Sequence, residues 1–97
     1  MKTRCRVQLL GKAETDLADA RRWLLQPGSG VQAHRRYGDI VRALQDLKMH
    51  PDRWPIGDHE FRERSAGGYR IIYRITDRDA LVIVLRIFGP YQNRSDL

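Results

Sequence analysis

A chain of 97 residues is long enough for one modest hydrophobic core and too short for two, so a single domain over residues 1–97 is expected. With 41% hydrophobic and 31% charged residues it reads as an ordinary soluble globule and not a disordered tail. The 18 Lys and Arg outweigh 12 Asp and Glu to give +6, and Lys stands only at Lys2, Lys12 and Lys48, so the excess is carried by Arg. Guanidinium groups present a planar fork of donors suited to phosphates and carboxylates, which points to a polyanionic partner as readily as to a solvated surface.

Arg4 to Leu10 alternates loosely and predicts a first strand, ended by Gly11. Its apolar run is too short for a signal peptide and nothing in the chain approaches a membrane span, so a cytoplasmic location and no membrane partner are expected. Cys5 is the sole cysteine, which excludes an internal disulfide and suits a reducing compartment. From Ala13 the apolar residues Ala13, Leu17, Ala20 and Leu24 recur at helical spacing, with Glu14 and Asp16 in the first turn and Arg21 and Arg22 in the last. Pro27-Gly28 stops this helix. Ser29 and Gln32 predict a capping box for a second helix whose apolar face is Ala33, Tyr37, Ile40, Val41, Leu44 and Leu47. Arg35–Asp39 and Arg42–Asp46 are expected as ion pairs on its outer face. His50-Pro51 ends it, and a short Gly/Pro turn between the helices predicts an antiparallel hairpin.

Residues 50 to 58 read as a loop in which Trp54 and Ile56 tuck under a sheet edge. Phe61–Ser65 predicts a strand and Ala66-Gly67-Gly68 a turn. Tyr69–Thr76 alternates cleanly, Asp77-Arg78-Asp79 is a second turn, and Ala80–Phe88 is apolar enough for a central strand covered on both sides. The order is strand, two helices, then three antiparallel strands. It predicts an α+β fold, a twisted sheet covered on one side by the helical hairpin.

A three-residue turn at each hairpin would set Arg64, Arg70 and Arg86 in a row across three strands, with Arg62 and Arg74 nearby and Glu63 on the wrong parity to help. Like charges facing each other destabilise a sheet unless something offsets them. An anion-binding face of Arg62, Arg64, Arg70 and Arg86 on the uncovered side is therefore expected; the plainer alternative is arginines splayed into water over apolar neighbours. Asp58-His59-Glu60 has no metal-site spacing, with His34 and His50 on other elements, so no metal and no cofactor are expected.

The run Tyr69-Arg70-Ile71-Ile72-Tyr73-Arg74-Ile75, a turn, then Val82 to Ile87, closely resembles the last hairpin of RelE/ParE toxins. Ala13 to Leu17 resembles the start of the family's first helix, and Leu44 to Pro51 also fits, so the resemblance spans nearly the whole chain. It implies the toxin half of a type II toxin–antitoxin pair, of the kind linked to plasmid stabilization and growth arrest. It also implies an acidic antitoxin that folds on binding. RelE-type members cut mRNA on the ribosome by activating a ribose hydroxyl; that branch would use Arg62, Arg70 and Arg86 on the phosphate and Tyr91 for the proton. This sequence departs from that branch: Gln92 stands where an arginine is expected, Tyr91 is the sole phenol of the tail, and the set of acid and base is incomplete. ParE-type members poison DNA gyrase without being known nucleases. The helix-one pattern and the tail Gln92 to Leu97, with Arg94, look more like that branch, which is favoured. A nucleic-acid-binding module without toxicity is a further alternative.

Overall fold

In the computed structural model, residues 5–57, 60–76, 78 and 81–90 are described. Helix α1 (Gly11–Leu24) buries Ala13, Ala20 and Leu24 on the stripe their spacing predicts, and Asp16 lies in the same stripe. It starts two residues before Ala13, because Leu10 is extended and its carbonyl already accepts the Glu14 amide at 2.9 Å. Helix α2 (Val31–Asp46) buries Ile40 and Ala43, with Leu47 buried just past its end. Ser29 does not cap α2. Its hydroxyl donates to Leu24 O at 2.7 Å, meeting one of the carbonyls that the end of α1 leaves without a helical partner, while Gly30 (φ 94°) occupies the N-cap of α2. The outer-face pairs also differ from expectation: Arg42 bonds Asp39, and Asp46 turns to Arg64 on the sheet.

Four strands follow the order β1-β4-β3-β2: β1 (Arg6–Leu9), β2 (Arg62–Ala66), β3 (Tyr69–Thr76) and β4 (Leu81–Phe88). β1 runs parallel to β4, and the other pairs are antiparallel. The apolar β4 is thus interior, as its composition demands. Val82, Val84 and Ile87 join Tyr69, Ile71 and Tyr73 of β3 to meet the helices in one core.

Both hairpin registers depart from the sequence expectation. Gly67 (φ 58°) and Gly68 (φ 82°) are both left-handed, the signature of a two-residue turn, so Ala66 faces Tyr69 and Arg64 faces Ile71. A Cβ on Gly67 would lie 2.3 Å from the Arg36 carbonyl oxygen, so the turn rests directly on α2. In the second hairpin Thr76 faces Leu81 instead of Ala80, and a bulge between Ile72 and Tyr73 adds a further residue on β4. Arg70 consequently faces Ser65 and Phe88, not Arg64 and Arg86.

The loop after α2 contains one 3-10 turn, Pro51–Arg53. Trp54 packs against the core as expected, but Ile56 is 61% exposed and only bridges Arg62 through its backbone. No described helix is long and apolar enough to cross a membrane.

Candidate functional site

Because side chains of facing residues share a side of the sheet, the register sorts the arginines. Arg62 faces Tyr73 and Arg64 faces Ile71, which puts both on the helix-covered side and not on the open one. There Arg62 Nη1 donates to Trp54 O at 2.6 Å and to Asp52 O at 3.3 Å, tying β2 to the loop. The Arg64 guanidinium lies 4.5 Å from the Trp54 ring centroid, and its Nη1 donates to Asp46 Oδ2 at 3.2 Å. Its Nε is buried without an acceptor among the described residues. Between them the Tyr73 hydroxyl donates to Pro51 O. Burial pushes the Tyr73 phenol up to about 12, with Arg62 and Arg64 pulling weakly the other way, so it donates at neutral pH and does not accept a proton.

Arg86 is committed differently. β1 pairs with β4 only as far as Val84, so the outer edge of β4 beyond it lacks a strand partner. Asp16 of α1 fills that position. Its Oδ2 accepts the Ile87 amide at 2.9 Å and Arg86 Nε at 2.7 Å, and its Oδ1 accepts Arg86 Nη2 at 3.1 Å. The side chains are only 15% and 8% exposed, and the guanidinium sits 4.6 Å from the Phe88 ring centroid. This two-pronged pair clamps α1 to the central strand.

The open side of the sheet keeps Arg6 of β1 and Arg70 and Arg74 of β3, all exposed. Glu63 shares that side, since it faces Ile72, and approaches Arg70 at 3.9 Å. The expectation that Glu63 had the wrong parity is thus corrected by the one-residue register change. Arg6 and Arg74 have no ion-pair partner among the described residues. Arg74 faces Ile83, which faces Gln8, so aliphatic surface separates the two cations. The expected row of Arg64, Arg70 and Arg86 is therefore not formed, and of the anion-binding face that adds Arg62 only Arg70 stands exposed on the open side. Tyr91 and Arg94 lie outside the described residues, as do Asp58 and His59. Among the described residues no group of three or more metal-ligating side chains converges.

A cleft of about 490 Å³ opens where α1, α2, the start of β3 and the end of β4 meet. Asp16, Asp19, Ala20 and Trp23 line one wall, Arg36 and Tyr69 another, and Gly89 and Pro90 the floor. Arg36 Nε donates to Gly67 O at 2.8 Å, and its guanidinium lies 5.8 Å from the Tyr69 ring centroid. Burial raises the Tyr69 phenol, and Arg36 partly offsets the rise. Sequence reasoning did not single out Trp23, and met Arg36 only in the nucleic-acid-binding alternative, at the start of the second helix. The available signal was Trp23 itself, a large aromatic off the buried stripe and 64% exposed.

Residues 7–89 match the family profile described as the ParE toxin of type II toxin–antitoxin system, parDE. Among solved structures, the chain is similar to one in the toxin–antitoxin complex RelBE2 from Mycobacterium tuberculosis, at 25% identity and TM-score 0.63, over 89% of this chain and 98% of that one. It shares its fold with a chain of the chromosomal ParDE system from P. aeruginosa, at 17% identity and TM-score 0.67, over 91% and 98%. It also shares it with one in the archaeal RelE–RelB complex from Pyrococcus horikoshii, at 17% identity and TM-score 0.56, over 95% and 100%. No curated protein matches the chain in sequence.

Proposed function

The chain belongs to the ParE toxin family of type II toxin–antitoxin systems, and from that premise we propose that it arrests growth by binding DNA gyrase and is held in check by a cognate antitoxin. One observation carries the choice of target. Two of the three arginines that a RelE-type ribonuclease would aim at a phosphate are spent on the protein itself, Arg62 on loop carbonyls and Arg86 on Asp16, and so is Arg64 of the expected anion-binding face, on Trp54 and Asp46. The phenols of Tyr69 and Tyr73 are raised above the ordinary tyrosine value and are poor proton acceptors. What the open side offers is Coulombic: Arg70, Arg74 and Arg6 stand exposed over apolar ground that runs from half-buried Leu81 and Ile83 to buried Ile72 and Phe88, suited to binding an acidic protein surface or nucleic-acid backbone without performing chemistry on it. An antitoxin partner is supported by the neighbours, each of which belongs to a toxin–antitoxin complex.

A RelE-type, ribosome-dependent ribonuclease is the second reading, favoured by the 25% identity to a chain of the RelBE2 complex. Two assays on the purified toxin separate them. Gyrase supercoiling should be inhibited while mRNA on primed ribosomes stays intact by primer extension. Codon-phased mRNA cuts with normal supercoiling would reverse the assignment.

A further inference from the structure

Arg86 reaches the open side of the sheet only because β4 is irregular. Val84 faces Tyr73 on the helix-covered side, so strict alternation would put Leu85 on the open side and Arg86 back on the covered one. The bulge makes Leu85 the extra residue, and Arg86 faces Ile72 while Ile87 faces Ile71. The bulge also lies where β1 stops, since the pairing of β1 with β4 ends at Leu9 and Val84. An arginine is thus turned to the open side at a stretch of β4 whose edge α1 reaches.

Its neighbour there is Arg70. Arg70 faces Phe88, and the Arg86 guanidinium lies 4.6 Å from the Phe88 ring centroid. The two arginines are diagonal neighbours on adjacent strands, roughly 7–8 Å apart at the backbone. Two guanidiniums at that spacing can close on one phosphate of a nucleic-acid backbone, each through its fork of donors. Glu63 lies in the same row as Ile72 and Arg86 but two strands from Arg86, about 10 Å by strand spacing.

Asp16 prevents that closure. Its oxygens take Arg86 Nε at 2.7 Å and Nη2 at 3.1 Å, and its side chain is 8% exposed, so its charge is answered by the arginine and not by water. Arg70, among the described residues, meets only the loose approach of Glu63 at 3.9 Å. A guanidinium neutralised in this way adds almost nothing to the field of the face. Clamping the helix to the strand needs an oxygen to accept from the Ile87 amide and from Arg86, which a neutral amide side chain would also supply. The full negative charge therefore does more than clamp.

We propose that Asp16 is the specificity-determining residue of the open side: it holds Arg86 in a neutral pair beside Arg70 and so keeps this face from gripping a nucleic-acid backbone. What remains are Arg70, Arg74 and Arg6, single cations set apart by apolar neighbours, each able to take one carboxylate of a protein partner. The proposal rests on the reading above that the open side binds without chemistry, and it names the residue responsible.

The test uses the full-length toxin, a single-stranded oligothymidylate as probe, and the dependence of its affinity on salt. Asp16→Asn keeps an oxygen for the Ile87 amide and gives up the charge. It should bind the probe about 10-fold more tightly at low salt. Its salt slope should be steeper by about 0.7, the share of one phosphate contact on a single strand. Adding Arg86→Gln should restore the unmodified slope. Glu14→Gln, the same change of charge at an exposed position of α1, should leave the slope where it was. Asp16→Asn with an unmodified slope, or Glu14→Gln with an equal gain, would overturn the proposal. A second measurement needs no variant at Asp16: when the unmodified toxin is titrated with the same probe in the NMR tube, the Arg70 Nε–H signal should move and the Arg86 signal should stay. Movement of the Arg86 signal would refute the proposal whether or not Asp16→Asn folds. A toxin that cuts mRNA and spares gyrase, yet gains the steeper slope with Asp16→Asn, would sink only the target assignment.

Discussion

The two sides of the sheet use the same residue type for opposite purposes. On the helix-covered side, Arg62 and Arg64 lay their guanidiniums on loop carbonyls, on the Trp54 ring and on Asp46, fastening a loop and a helix end to an edge strand. On the open side Arg70 is 53% exposed with one loose contact to Glu63, and Arg74 and Arg6 are exposed as well. Which side an arginine takes in this sheet is set by its position along the strand and by the length of the turn before it. Arg62 and Arg64 share a side, and Arg70 falls on the other because the intervening turn is two residues long. Arginine content therefore specifies a basic protein, while register decides which arginines remain available to a partner.

The sharpest break of this comparison is at Asp16, where a third class, the buried pair, holds α1 to β4. Asp16→Ala removes the buried carboxylate that Arg86 and the Ile87 amide share, so unfolding in urea should show a loss of about 3–5 kcal/mol. A loss below about 1 kcal/mol would mean that the pair does not clamp the helix.

A smaller effect is expected at Tyr73, between the two fastening arginines. Its phenol is raised to about 12, above the ordinary tyrosine value near 10, so the folded state holds the proton more tightly than the unfolded chain. That contribution is complete below pH ~10 and is lost as pH rises through about 12. Tyr73→Phe should cost about 1–2 kcal/mol at neutral pH by leaving Pro51 O without its donor. It should also flatten the alkaline limb of the stability profile, measured by urea melts across pH 8–12. An unchanged alkaline limb would place the titration elsewhere.

Much of the fold was legible because it rests on period. The stripe of Ala13, Ala20 and Leu24, the alternation of Tyr69, Ile71 and Tyr73, and the apolar β4 each dictate what they bury. The α+β architecture with helices on one side follows from them. The site was less legible because it depends on counts of single residues. Counting Ala66 into the first turn overlooked that Gly67-Gly68 alone satisfies a two-residue turn with both residues left-handed. The bulge that inserts an extra residue of β4 opposite Ile72 and Tyr73 has no signature in an all-apolar strand. Each slip moved an arginine against a new neighbour. Asp16 reads in the sequence as a first-turn acid favoured by the helix dipole, although it lies within the apolar stripe, a position that asks for a buried partner.

The smallest effect on stability, and the most informative about partners, is expected on the open side. Arg70→Ala with Arg74→Ala removes two exposed guanidiniums whose one ion contact among the described residues is the loose approach of Arg70 to Glu63, so the urea midpoint should imply a change within about 0.5 kcal/mol. If these side chains steer an acidic surface, the double variant should associate several-fold more slowly with its partner at low salt, and the difference should shrink as salt rises. Arg62→Ala is the matched control on the covered side: it should lower stability by releasing Trp54 O and Asp52 O while leaving the salt dependence of association unchanged. Equal salt slopes for the double variant and the unmodified toxin would mean that the open side meets no charged partner. The basic excess of the chain would then act as solvated surface.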